Sequence, residues 1–179
     1  MATYPYPSSA RESHLARFLV VGFIAGAIAV LVFHQGAYAM LHSMGFTPRA
    51  PYSMQATAPW GVPQVWSLTF WGGIWGIVLA ASLGRLDGPR LLVAAAIFGA
   101  IVPTLVVWFV IAPFKGQAVM AGGNLHAIAT ALLVNGAWGL GTGIGLLLFG
   151  HPHHRGQPII PGCNPSSASS PRWPSPSRP

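Results

Sequence analysis

The stretch FWGGIWGIVLA, Phe70–Ala80, sets glycine beside tryptophan inside an apolar run, and VNGAWGLGTGIG, Val134–Gly145, does so again. In water glycine is a poor helix former, about 1 kcal/mol worse than alanine per residue, so the recurrence needs a physical reason. Lipid supplies one. Where no hydrophobic effect drives helix against helix, small residues let backbones approach for van der Waals contact. Gly72, Gly76, Ala80 and Gly84 recur every four residues on one face of a helix; Ala137, Gly141 and Gly145 do the same in the later segment, with Gly139 and Gly143 beside them. These stripes imply close helix packing, either inside one bundle or as the seam of an oligomer.

Composition agrees with lipid as the solvent. The chain has 179 residues, 53% of them hydrophobic and only 6% charged, with a mean hydropathy of +0.55. A soluble domain carries about 25% charged residues, and two acids with nine bases cannot coat one. The net charge of +7 is scattered between apolar runs, which fits membrane topology rather than nucleic acid. Four uncharged segments can each cross a hydrocarbon core: Phe18–Phe33 and a little beyond, Val65–Leu83, Leu91–Ile111 and Leu125–Phe149. Every backbone polar group in lipid must be paired within its segment, so these are helices. Pro103 is expected to kink the third.

The bases orient the spans. Arg11 and Arg17 precede the first, Arg85 and Arg90 separate the second from the third, and Arg155, Arg172 and Arg178 follow the fourth, against only Arg49 and Lys115 on the other side. By the positive-inside rule both termini are cytoplasmic, and loops 45–63 and 112–124 face outward. The competing reading, a secretory leader cleaved after "AYA" at Ala37–Ala39, is countered by an internal copy of the first span.

That copy appears when RFLVVGFIAGAI from Arg17 is laid over RLLVAAAIFGAI from Arg90. Leu19 falls on Leu92, Ile24 on Ile97, Gly26 on Gly99 and Ile28 on Ile101; in the second spans Gly73, Trp75 and Gly76 fall on Gly136, Trp138 and Gly139. The expected fold is an all-α integral membrane protein of four transmembrane helices, built as two tandem helical hairpins in a parallel repeat. The first loop is about ten residues longer than the second. The expected organisation is a disordered N-terminus (1–14), a first hairpin (15–83) with outer loop 45–63, a cytoplasmic loop (84–90), a second hairpin (91–150) and a disordered Pro/Ser/Arg-rich tail (151–179).

Polar residues suited to chemistry are few. The only acids, Glu12 and Asp87, lie outside the spans, which weakens acid–base catalysis and proton-coupled transport alike. Asn135 is the deepest strongly polar side chain, and an unpaired amide in hydrocarbon costs several kcal/mol. It calls for an interhelical hydrogen bond or a place on a polar path. Gln64, Thr69, Thr104, Thr130 and Thr142 can be satisfied locally or by neighbouring backbone. On the outer side His34, Tyr38 and His42 share a helical face, His126 opens the fourth helix, and Met40 and Met44 lie nearby. Imidazole with thioether suits copper, and two apposed histidines suit haem; the bland alternative is interfacial packing. The tract HPHHR at His151–Arg155 and the single cysteine, Cys163, sit in the tail, the latter as an ordinary thiol. Pro48, Pro51, Pro59 and Pro63 stiffen the outer loop, and Phe46, Tyr52 and Trp60 give it something to pack.

The expectation is a small multi-pass protein of a bacterial inner membrane, with no enzymatic activity. It would serve as a binding or accessory component, self-associating or joining a larger complex. Alternatives are a small-solute or ion transporter or channel, and an outer-side copper or haem protein.

Overall fold

The computed structural model describes residues 8–150, with side chains from Ala16 onward. Four long helices dominate. Helix α1 comprises Ser8–Ala29, a π-helical turn at Val30–His34 and a last segment Gln35–Ser43. Helix α2 is Gln64–Leu83. Helix α3 comprises Gly88–Val106, a second π-helical turn at Val107–Ile111 and Ala112–Phe114. Helix α4 is Leu125–Phe149. All four are long and apolar enough to cross a membrane, the complement of a multi-pass membrane protein. The expected disorder of residues 1–7 and of the tail, with its His tract and Cys163, lies outside the described residues. Residues 8–14, expected to be loose, instead form the start of α1, in keeping with the helix propensity of Ala10, Arg11 and Glu12.

Local signals account for the boundaries. Pro89 occupies the first turn of α3, where its missing N–H has no intrahelical role. Asn124 caps α4: its Oδ1 accepts the Ala127 N–H at 3.1 Å. Between α1 and α2 the chain makes a small antiparallel ribbon, β1 (Ala56–Thr57) and β2 (Val62–Pro63). A 3₁₀ turn at Val119–Gly123 precedes α4.

The glycines organise the bundle. A Cβ on Gly26 would come within 2.9 Å of the Gly76 Cα, one on Gly22 would lie 2.9 Å from the Gly76 carbonyl oxygen, and one on Gly84 would strike the Phe18 ring. The stripe Gly72, Gly76, Ala80 and Gly84 is therefore consumed by α1. Helix α4 presents two small faces. Gly139 and Gly143 meet Ala95 and Gly99 of α3, whereas Gly141 and Gly145 meet Phe33 and Ala25 of α1. Ala137 is half-buried between them. The tryptophan joins the two hairpins: Trp138 Nε1 donates to the Gly26 carbonyl at 2.9 Å, and its ring passes Gly72, where any side chain would obstruct it.

Helix α1 thus packs against both α2 and α4, and α4 against both α1 and α3, all antiparallel. Helices α2 and α3 touch more sparsely, with Trp75 and Phe98 edge to face at 6.4 Å. Leu79, Leu91, Thr142 and Leu146 are fully buried and fill the half of the bundle near the short turn between α2 and α3. The opposite half, beneath the long loop, is built differently.

Candidate functional site

Three helices change character as they approach the long-loop end. In α1 the π turn ends on His34, which is buried. In α3 the π turn begins at Val107 and Trp108, four residues after Pro103. A proline leaves the carbonyl four residues before it without its helical partner, and wide turns of this kind concentrate at functional sites. In α4 the small residues of the seam give way to Thr130, Ala131, Val134 and Asn135.

These changes open a cavity of about 650 Å³. His34 and Tyr38 line it from α1, Leu68 from α2, Val107 and Trp108 from α3, and Ala127, Thr130, Ala131 and Asn135 from α4. Residues 46–49 of the first loop and 117–124 of the second form its rim. A smaller cavity of about 100 Å³ adjoins it, sharing His34, Leu68, Val107 and Asn135 and continuing between α2 and α3 past Trp71, Trp75 and Pro103 to Trp138. The upper space is mixed polar and apolar; the lower is bounded mainly by tryptophan and aliphatic groups.

Each polar wall residue has an assignable state. Asn135 Nδ2 donates to Thr104 Oγ1 of α3 at 2.8 Å, so the deepest amide ties α4 to α3 at the cavity floor. Sequence reasoning expected Thr104 and Thr130 to be satisfied locally or by neighbouring backbone. Thr69 and Thr142 are, donating to Val65 O and Trp138 O at 2.8 and 2.9 Å. Thr104 instead serves the amide of another helix, and Thr130, only 5% exposed, has a hydroxyl with no hydrogen-bond partner in the protein. Gln35, also buried, is not a wall residue: its Oε1 accepts the Tyr52 N–H at 2.7 Å, while Tyr52 Oη donates to Leu31 O at 2.8 Å. The long loop is thereby fastened to the π turn.

The rim is basic. Arg49 lines the cavity mouth, and the chain's only acids, Glu12 and Asp87, belong to the start of α1 and the short turn at the other end. His126 lies against the Phe46 ring at 5.0 Å on the same rim, and His34 packs edge to face on Tyr38 at 5.2 Å.

The residues put forward as metal donors are only partly gathered. His34 and His126 line the one cavity. His42 is held by Thr47, Nδ1 to carbonyl oxygen at 3.1 Å, and Met40 and Met44 are 58% and 72% exposed. Among the described residues no group of three or more His, Cys, Asp or Glu comes together. In the sequence Thr130 counted only as a hydroxyl that could be satisfied nearby and Arg49 only as an outer-side charge, and Leu68 was not singled out. One signal was present: Thr130 and Val134, with Ala127, Ala131 and Asn135 beside them, repeat every four residues along a single face of α4.

No family model, curated protein or solved structure matches the chain.

Proposed function

We propose that this chain is a non-catalytic membrane binding protein, an accessory component that holds a small molecule in the cavity at its long-loop end. The observation that carries the reading is the cavity itself. Its volume falls within the roughly 300–1,000 Å³ common for small-molecule sites, and it combines apolar walls with a few convergent polar groups. By the charge rule the long-loop end faces the outside of a bacterial inner membrane, with both termini in the cytoplasm.

The reading includes a tandem duplication of the hairpin. Gly22 and Gly26 meet Gly72, Gly76 and Ala80. Their counterparts Ala95 and Gly99 meet Asn135, Gly139 and Gly143 in the same pairings. The lipid-facing stripes correspond too: Val20, Ile24, Ile28 and Val32 are exposed along α1, as are Val93, Ile97, Ile101 and Leu105 along α3. The cavity residues fall where the copies differ, with His34 opposite Val107, Thr104 opposite Leu31 and Asn135 opposite Gly72. A duplicated scaffold kept its seam and specialised one end. Because the glycine stripes are used within the chain, association with other subunits would rely on the exposed loop, where Trp60 is prominent, rather than on those stripes.

Native mass spectrometry of the protein released from lipid nanodiscs tests the binding role. The wild type is expected to retain a small-molecule adduct that Ala131→Trp, which narrows the cavity from its wall, loses while staying folded. Identical spectra for the two would refute it. Transport is the second reading, favoured by the polar Asn135–Thr104 pair at the base of the larger cavity. Solute flux in proteoliposomes would establish it.

A further inference from the structure

Resting on the cavity reading above, we infer that the occupant is a single-chain carboxylate amphiphile. Its headgroup lies in the upper cavity near Arg49 and Thr130, and its alkyl chain leaves through the cleft between α2 and α3. Four observations point to this chemistry.

The first is Thr130, which lines the upper cavity and whose buried hydroxyl has no partner in the protein. Such a group is costly unless something accepts from it. The second is charge. Arg49 at the mouth meets no carboxylate from this end of the chain, because both acids lie elsewhere in the sequence. One guanidinium balances one negative charge, and its planar fork suits a carboxylate. Tyr38 on the same wall supplies a further hydroxyl donor.

The third observation is the continuity of the two cavities. A purely soluble anion would have no use for the lower one, walled by Trp71, Trp75, Pro103 and Trp138. Its mainly apolar lining suits an alkyl chain. The fourth is the lateral opening. Trp71 on α2 and Val107 on α3 border this cleft, yet they remain 55% and 48% exposed on the surface that meets lipid. The sparse packing of α2 on α3 leaves this side ajar, whereas the glycine seams shut the others. A ligand dissolved in the outer leaflet therefore reaches the site sideways, headgroup uppermost.

Photocrosslinking in lipid nanodiscs tests this, with a palmitic acid carrying a diazirine in its chain as the probe. The expected result is labelling of peptides containing Trp71, Trp75, Pro103 or Trp138, suppressed by excess palmitate and not by methyl palmitate. Arg49→Gln is expected to weaken that labelling about tenfold, the scale of one hydrogen bond to a charged group. Thr130→Val is expected to weaken it by a few-fold while leaving the fold intact. Labelling confined to the lipid-facing stripes of α1 and α3, or equal competition by the methyl ester, would overturn the proposal. If crosslinking fails while Ala131→Trp still removes an adduct in the mass spectrum, the cavity reading survives and only the ligand class falls. If both fail, both fall.

Discussion

Thr104 and Thr130 are buried on neighbouring helices, and they differ in what their hydroxyls do. Thr104 accepts the Asn135 amide, whereas Thr130 has no partner in the protein. Removing one side of a buried hydrogen bond costs about 1–3 kcal/mol because the other side is left bare. Thr104→Val should therefore destabilise the bundle by roughly that amount. Thr130→Val removes a hydroxyl that is already bare and should be neutral or slightly stabilising. Thermal unfolding of both variants in the same detergent checks the contrast. A Thr130→Val loss as large as that of Thr104→Val would mean that its hydroxyl has a structural partner. At this scale the sequence was half legible. Asn135 stood out because a lone amide deep in an apolar helix demands an explanation. Thr130 did not, since threonine in a helix ordinarily bonds its own backbone, as Thr69 does.

Among the elements, the two π turns and the long loop belong together. Tyr52 reaches across to Leu31 O inside the first π turn and is itself held by Gln35 Oε1. These bonds fasten the long loop to α1. Replacing Tyr52 with Phe, or Gln35 with Leu, removes one bond each. At about 1 kcal/mol apiece, each change should raise the open population of residues 45–63 roughly fivefold. Limited proteolysis within that loop would then accelerate by a similar factor, while cleavage elsewhere stays unchanged; no acceleration would show that the loop is held by other contacts. The four helices were legible from length and apolar run, and the small-residue stripes from their spacing. Which stripe faces which helix was not. Gly139 and Gly143 share a four-residue spacing with Gly141 and Gly145, and only the positions of α1 and α3 decide that the first pair meets α3 and the second α1. The π turns were equally hidden, because no residue type announces the wider hydrogen-bond ring; Pro103 marked only the neighbourhood of one.

On the scale of the whole molecule, one half of the bundle is sealed by backbone contacts and the other is hollow. Leu79, Leu91, Thr142 and Leu146 are fully buried in the first. Arg49, His34, Thr130 and Asn135 surround the cavity in the second. The copper and haem idea placed His34, His42, His126, Met40 and Met44 together on the outer side. His34 and His126 line the cavity, whereas Met40 and Met44 are exposed. Substituted-cysteine labelling in a Cys163→Ser background tests the hollow half most directly, using a charged, membrane-impermeant thiol reagent. Ala131→Cys, on the cavity wall, should react from the long-loop face of the membrane. Thr142→Cys in the sealed half and Leu133→Cys on the lipid-facing side should not. An unreactive Ala131→Cys, or a Thr142→Cys that reacts as fast, would contradict a cavity that opens at the long-loop end of a glycine-packed bundle.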